Sequence, residues 1–290
     1  MTTTAVPTAH QLVRDAVRVF EQSDIPAARR EAETLLAAVL GCRPLEVYLV
    51  TAPTPEHVAQ FERWVGERAA GMPTQYLTGR VTFCGDVFLV TPATLIPRPE
   101  TELVVAAALR CARRLLNRSP GLRIVDVGTG CGNLAISLTK LLPSARITAI
   151  DRSYAALDVA RVNAARLGVA ERIAFVQGNG MHGLARDFTP HMVVANPPYI
   201  PSDELPHLPA DVQHEPRLAL DGGHDGCAVI REWLTHAAER LAVGGCAIFE
   251  IGAGQGELLS AHVRTTNTLR VVDMQPDWND IPRVLIAERI

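Results

Sequence analysis

Residues 123–132 read Arg-Ile-Val-Asp-Val-Gly-Thr-Gly-Cys-Gly. The β-prone run 124–127 leads into a turn with three glycines, and an apolar run with helical spacing follows at 133–142. A strand that passes through a glycine-rich turn into a helix is a building unit of parallel α/β sheets. This stretch therefore predicts a doubly wound α/β domain around it.

Further β-prone runs alternate with helical runs on both sides of this unit. The predicted strands lie at 124–127, 147–150, 173–176, 192–195, 247–251, 269–272 and 283–287. Their apolar residues are continuous and do not alternate with polar ones, which is typical of a parallel sheet covered on both faces. We therefore predict a sheet of about seven strands, preceded by a helix at 101–116.

The chain ahead of this domain shows other patterns. Apolar residues recur at helical spacing in 12–20, 32–40 and 55–70, and Thr54 is a suitable N-cap for the third helix. From residue 75 to 99 the pattern changes to short apolar runs broken by glycine and proline, which indicates a β-hairpin. The prediction is a helical domain at 1–74, a hairpin linker at 75–99 and an α/β domain at 100–290.

Composition narrows the function. The chain has 290 residues, 48% hydrophobic and 20% charged, with a net charge of −3, which disfavours stable binding to nucleic acid. No apolar run approaches the roughly 20 residues of a membrane span, and no signal peptide is evident, so a cytoplasmic location is expected. Lys140 is the only lysine, which excludes a Walker A loop. The six cysteines lack zinc-site spacing, and no metal is expected.

The glycine turn and the next strand suggest a cofactor site. Asp126 precedes the first glycine, and the glycines follow a G-x-G-x-G spacing, one residue short of the dinucleotide fingerprint. A carboxylate at this point would repel a pyrophosphate but suits the ammonium group of a methionine moiety. Asp151 closes the next predicted strand, where an acidic residue accepts hydrogen bonds from ribose hydroxyls. Together these features favour a binding site for S-adenosylmethionine over a tight turn that binds no ligand. Cys131 is interpreted as a small turn residue and not as a reactive thiol.

The segment Asn196-Pro197-Pro198-Tyr199 follows the fourth predicted strand and suggests a holder for a planar NH2 group. The Asn196 side-chain oxygen and the Pro197 carbonyl can accept its two hydrogens and aim its nitrogen at a methyl donor. The prolines remove competing N–H donors, and Tyr199 can pack its ring on the flat group. A Pro-Pro turn without function is the alternative. The segment predicts methyl transfer to nitrogen without a prior base.

Several segments resemble a known family, the bacterial release factor glutamine methyltransferases, which are protein-(glutamine-N5) methyltransferases. They lie at 75–79, 91–102, 126–132, 196–200, 215–220 and 222–223. The stretch 96–100 discriminates better than Asn-Pro-Pro-Tyr, which enzymes that methylate DNA amino groups also carry. The resemblance implies a Rossmann-like class I methyltransferase domain and an N-terminal helical domain that recognises the substrate.

The resemblance also implies roles for individual residues. The cofactor site is expected at Asp126, Gly128, Thr129, Gly130, Cys131, Gly132, Asp151, Asn179, Gly180 and Asn196. Catalysis is expected from Asn196, Pro197 and Tyr199, and these residues with Pro198 are expected to bind the substrate. The implied substrate is the glutamine amide in the Gly-Gly-Gln loop of peptide chain release factors of types 1 and 2, whose methylation modulates translation termination.

One departure from the family pattern concerns the third strand. The family usually has an acidic residue followed by an aromatic or bulky apolar one, whereas this chain has Asn179 and Gly180. Asn179 can still accept from an adenine amino group, but glycine offers no ring. We therefore expect weak cofactor binding that Gly180→Trp would strengthen. Trp233, on a later helical run, is interpreted as core packing alone.

The segment 201–226 is long and rich in proline and glycine, which favours a loop over the substrate or a partner contact. Its three histidines match no metal-site spacing and are expected to be solvated. Three alternative functions remain. They are a glutamine methyltransferase for a ribosomal protein, a nucleic-acid amino methyltransferase, and a noncatalytic binding protein of the same fold.

Overall fold

The computed structural model describes residues 6–49, 53–117 and 121–290. Contacts divide the chain into two compact units. The first runs up to Arg80 and includes Pro209–His214, and the second comprises Val81–Leu208 and Glu215–Ile290. None of the described helices is long and apolar enough to cross a membrane. The functional division at residues 74 and 99 stays a prediction.

The elements have the following bounds. The helices are α1 (Ala9–Gln22), α2 (Ala28–Leu40), α3 (Pro55–Ala69), α4 (Thr74–Thr78), α5 (Glu102–Leu116), α6 (Asn133–Leu141), α7 (Tyr154–Arg166), α8 (Ala210–Gln213), α9 (Arg217–Leu220), α10 (Ala228–Arg240) and α11 (Gly256–Thr265). The strands are β1 (Arg80–Phe83), β2 (Asp86–Leu89), β3 (Arg123–Val127), β4 (Arg146–Asp151), β5 (Ile173–Gln177), β6 (Met192–Ala195), β7 (Cys246–Glu250), β8 (Leu269–Pro276) and β9 (Pro282–Arg289).

The first unit is helical, as predicted. The apolar faces of α1, α2 and α3 enclose a buried cluster that includes Phe20, Leu35 and Phe61. The predicted N-cap is present, because the Thr54 side chain accepts a hydrogen bond from the backbone N–H of His57. Amphipathic spacing and this cap explain why the sequence forms helices here.

The predicted hairpin is shorter than the segment 75–99. Strands β1 and β2 form a separate two-stranded sheet, whereas residues 75–78 belong to the helical turn α4. The backbone N–H groups of Tyr76 and Leu77 donate to the Pro73 carbonyl, and Gly79 ends the turn with a φ of 69°. A left-handed glycine at this position stops the helix before the strand begins.

The second unit contains a seven-stranded sheet in the order β5-β4-β3-β6-β7-β9-β8. The strand count and the doubly wound α/β class confirm the prediction, and the parallel pairing that the apolar runs indicate extends from β5 to β7. Strand β9 runs antiparallel to both β7 and β8. Only residues 277–281 join β8 to β9. A parallel crossover needs a dozen or more residues, so this short link permits only a hairpin.

The strand order reverses at β3. This strand pairs in parallel with β4 on one side and with β6 on the other. The chain therefore leaves the ends of β3 and β6 in opposite directions, and a crevice forms between them. Open α/β sheets bind ligands at such a switch point, outside the carboxyl ends of their strands.

Candidate active site

A cavity of about 660 Å³ opens at the carboxyl ends of the parallel strands, and we call it the main cavity. Its volume falls in the range of cofactor and small-molecule sites. Seven segments of the chain contribute to its wall, within residues 93–97, 128–133, 151–156, 178–180, 196–198, 216–221 and 229–233.

Asp126 lies behind the glycine turn and does not line the main cavity. It is fully buried, and its Oδ2 accepts hydrogen bonds from the Thr129 hydroxyl at 2.6 Å and from the Ala135 N–H at 3.1 Å. Its Oδ1 has no hydrogen-bond partner among the described residues. Burial raises the pKa of Asp126 to about 7, against the lowering effect of these two hydrogen bonds. The carboxyl group therefore holds the shape of the turn.

Asp151 does line the main cavity, where a ribose-binding carboxylate was predicted. Its Oδ2 accepts from the Gly130 N–H at 2.9 Å, and its Oδ1 accepts from the Ser153 N–H at 2.8 Å. Burial raises its pKa, although backbone hydrogen bonds oppose the shift. Each carboxylate oxygen has a second lone pair, so Asp151 can still accept from two hydroxyl groups.

Cys131 lines the cavity as a buried, unreactive thiol. Burial raises its pKa to about 12, which leaves almost no thiolate at neutral pH. The backbone carbonyl of Cys131 accepts from the side chain of Asn163 at 2.9 Å. The same amide also bonds the backbone N–H and carbonyl of Leu89 in the hairpin. The Asn163 side chain therefore connects the hairpin to the glycine turn. Sequence analysis missed this residue, which is a fully buried amide within a helix.

Trp233 supplies the ring that position 180 lacks. It is 7% exposed and belongs to the buried cluster of the second unit, as predicted, but it also lines the main cavity. A Cβ added at Gly180 would lie 3.1 Å from two atoms of this indole and 2.9 Å from Nδ1 of His236. A Cβ added at Gly128 would lie 2.8 Å from another atom of the indole. The two glycines therefore admit the Trp233 ring to the cavity wall.

This arrangement corrects the expectation for Gly180→Trp. The φ of Gly180 is +56°, a region that L-residues avoid, and the space beside it already contains a ring. A tryptophan at position 180 would strain the backbone and displace Trp233, so it would not strengthen the cofactor site. Asn179 lies beside Gly180 in the wall, and its Nδ2 donates weakly to Glu232 at 3.5 Å.

Asn196 presents an unpaired acceptor at the main cavity. Its Nδ2 donates to the Thr101 hydroxyl at 3.0 Å, and that hydroxyl donates to Oε2 of Glu250 at 2.6 Å. Because an ionised Glu250 only accepts, Thr101 must accept from the amide nitrogen, and Oδ1 must face the other way. Within the described part of the chain, this buried Oδ1 has no partner. A buried acceptor in a cavity wall is suited to an N–H donor on a ligand.

The residues after Asn196 have different positions. Pro198 lines the main cavity, whereas Pro197 and Tyr199 do not. The Tyr199 carbonyl accepts from Nε2 of Gln255 at 2.9 Å, and burial and then the charge of Glu250 raise the pKa of its phenol. Burial likewise raises the pKa of Glu250 to about 7. The predicted stacking of Tyr199 on a substrate stays a prediction.

Glu215 joins two segments of the cavity wall. Its Oε2 accepts from the backbone N–H of Ile96 at 2.9 Å, and its Oε1 forms an ion pair with Arg98. Glu215 is 5% exposed, so it holds residues 96–98 firmly beside 216–221. The segment 201–226, which was expected to be a loop, contains short helices. Its residues 216–221 are part of the cavity wall. Its three histidines are exposed.

Most of the predicted cofactor residues meet at one place. Those that line the main cavity are Gly128, Thr129, Gly130, Cys131, Asp151, Asn179, Gly180 and Asn196. Gly132 does not, because it packs α6 against Ala160 of α7. Sequence analysis missed Thr101 and Glu250. A carboxylate at or next to the end of a buried strand was the signal for Asp126 and Asp151, and Glu250 ends β7 as Asp151 ends β4.

Comparison with known proteins first defines the class. Residues 109–207 match the methyltransferase small domain family. The solved catalytic domain of hMettl16, in complex with the MAT2A 3′UTR hairpin 6, superposes with a TM-score of 0.55 at 13% identity, covering 81% of this chain and 82% of that one. At this identity the likeness concerns the fold alone. The fold, the family match and the main cavity define a methyltransferase.

The relatives then define the family. Residues 11–79 match the PrmC N-terminal domain. The release factor glutamine methyltransferase of Moorella thermoacetica is 43% identical over 97% of this chain and 99% of its own length. That of Bradyrhizobium diazoefficiens is 39% identical over 93% and 91%. The chain belongs to the release factor glutamine methyltransferase family.

Proposed function

We propose that this enzyme transfers a methyl group from S-adenosylmethionine to the side-chain amide nitrogen, N5, of a glutamine in peptide chain release factors of types 1 and 2. The target is the glutamine of the Gly-Gly-Gln loop, and its methylation modulates translation termination. Because release factors act in translation, the proposal includes a cytoplasmic location. Family membership supports the substrate, and the geometry at Asn196 supports the chemistry.

The observation that carries the proposal is the unpaired Oδ1 of Asn196 in the wall of the main cavity. A glutamine amide has two N–H donors, and the proposed partners are this oxygen and the Pro197 carbonyl. Two acceptors would fix the plane of the amide and the direction of its nitrogen. Such positioning avoids the entropic cost of a random encounter, and it can lower the activation barrier by several kcal/mol.

The proposed methyl donor is consistent with the residues of the main cavity. S-adenosylmethionine supplies a methyl group activated by its sulfonium charge. Asp151 has acceptor capacity left for two ribose hydroxyls, and the glycines at 128 and 130 line the cavity without side chains that would block a ligand. The Trp233 ring and Asn179 provide an aromatic face and an amide for the adenine. All of these cavity residues are compatible with S-adenosylmethionine as the methyl donor.

The proposed reaction needs no base before transfer. A neutral amide holds its protons too tightly for a carboxylate to remove, but a nitrogen that has gained a methyl group loses one readily. In the described part of the cavity wall, no lysine or histidine is present. Glu250 has a positioning role in this proposal, because it acts on Asn196 through the Thr101 hydroxyl.

The test uses radiolabelled S-adenosylmethionine with purified release factor. Label is expected in the release factor and is expected to disappear when the target glutamine is changed to alanine. Unchanged labelling of that variant would overturn the site assignment. Ribosomal proteins, DNA and RNA serve as parallel substrates, because labelling of one of these alone would favour an alternative function. Asn196→Ala should abolish transfer, and full transfer by this variant would refute the proposed amide-holding role of Asn196.

A further inference from the structure

Three side chains of types that can bind a metal ion meet beside the middle of α10. Glu232 and His236 are four positions apart on this helix and so project on the same face. His182 approaches them from the segment after β5, and its ring centroid lies 4.3 Å from that of His236 at an interplanar angle of 77°. One ligand atom from each of the three residues lies within 4.8 Å of the others.

We propose that His182, Glu232 and His236 bind a divalent first-row transition metal ion, such as Zn²⁺. Two imidazoles and one carboxylate form a ligand set that suits zinc, cobalt or nickel, and not the hard cations calcium and magnesium. Zinc bonds of about 2.0–2.1 Å require donor atoms somewhat closer together than 4.8 Å. His182 and Glu232 are exposed, so their side chains are free to rotate towards a bound ion.

The three side chains make few strong hydrogen bonds in the described part of the chain. Nδ1 of His236 is buried and has no hydrogen-bond partner in the part of the chain that the structure describes. The contact of Glu232 with Asn179, at 3.5 Å, is at the limit of a hydrogen bond. Binding a metal would therefore cost the protein little existing interaction energy.

The proposed metal site adjoins the main cavity. Asn179 lines that cavity and contacts Glu232, and His236 packs beside Gly180. A metal that binds Glu232 and His236 would stiffen α10 against residues 179–182. The structure thus connects the metal to the wall of the proposed adenine pocket, although metal binding itself depends on none of the proposed chemistry.

The test measures metal binding alone. The full chain is prepared without a histidine tag, stripped with a chelator, and titrated with Zn²⁺ by calorimetry and with Co²⁺ by visible absorption. One metal per chain is expected. His182→Ala and Glu232→Ala should each lower the affinity at least about ten-fold, since loss of even an indirect metal partner costs about 10–100-fold. His224→Ala, which removes another exposed histidine, should leave the affinity unchanged.

Each outcome decides the proposal. His182 and Glu232 are exposed, so both variants are expected to fold, and their circular dichroism and melting temperature check this. Zn²⁺ should raise the melting temperature of the unmodified protein and should not raise that of His182→Ala. Absence of saturable binding, or equal affinity in the unmodified protein and His182→Ala, would overturn it.

Discussion

The side-chain nitrogen of Asn196 donates a hydrogen bond to the Thr101 hydroxyl at 3.0 Å. The two residues lie 95 positions apart, and Thr101 is fully buried at the start of α5. Because Thr101 in turn donates to Glu250, the amide of Asn196 has one stable orientation, with its oxygen directed away from Thr101. Thr101 is therefore a positioning residue for the proposed amide acceptor.

Thr101→Val should reduce kcat about 10- to 100-fold, because the valine side chain has the same shape but cannot hold the Asn196 amide in place. The KM for the methyl donor should change little, since Thr101 does not line the cavity. Steady-state kinetics with saturating release factor measures both values. Thr101→Ser keeps the hydroxyl and should retain most of the activity. A change in the KM for the methyl donor with an unchanged kcat would contradict the positioning role.

Glu250 should make kcat depend on pH. Burial raises its pKa to about 7, so it is protonated on the acid side of that value. A protonated Glu250 carboxyl can donate a hydrogen bond to the Thr101 hydroxyl. Thr101 then no longer requires the side-chain nitrogen of Asn196 as its hydrogen-bond donor, so the orientation of the Asn196 amide is no longer fixed. The kcat is expected to fall as pH decreases through about 7 and to plateau above it. Glu250→Gln should give a low kcat without this acid limb, and an unchanged pH profile in the variant would refute the assignment.

Asp126 should make the protein less stable as pH rises. Burial raises its pKa from 3.8 to about 7, so between these values the folded state holds more protons than the unfolded state. The free energy of unfolding therefore decreases with pH across this window, and the effect is complete above it. Urea unfolding at several pH values measures the slope. Asp126→Asn should have a shallower slope, whereas an equal slope would show that Asp126 does not titrate as described.

Gly180→Ala should destabilise the protein and weaken binding of the methyl donor. The new Cβ would meet His236 and Trp233 in addition to the strain of a φ of +56°. Gly168→Ala is the matched control, since Gly168 has a φ of +73° and no atom within 4 Å of an added Cβ. The control should lose about 1–2 kcal/mol from backbone strain alone. Chemical unfolding should show a larger loss for Gly180→Ala, and equal losses would exclude a role for the contacts.

Glu215→Ala should weaken binding of the methyl donor, because it leaves the Ile96 N–H and the Arg98 guanidinium without their buried acceptor. Loss of a buried hydrogen-bond partner costs about 1–3 kcal/mol, and the two wall segments would separate. Calorimetry with the donor and urea unfolding measure the two effects. Glu204→Ala removes an exposed carboxylate from the same stretch and should change neither. Similar behaviour of the two variants would refute a clamp at Glu215.

The sequence by itself determined the local structure of this protein. Helical spacing and the Thr54 cap predicted α3, and the glycine-rich run after residue 127 predicted the turn between β3 and α6. It also placed Asn196 at the end of β6. These features depend on neighbouring residues, since hydrophobic periodicity, caps and turn chemistry act over one or two turns of chain.

Only the tertiary structure decided which distant side chains meet. Thr101 contacts Glu250 across 149 positions, and the Trp233 ring occupies the space beside Gly180. The strand order around β3 and the packing of α10 bring these residues together. A periodic pattern identifies a strand but contains no information on its neighbours. The proposed amide holder was therefore visible in the sequence, whereas the hydrogen bonds that orient it depend on contacts across the folded sheet.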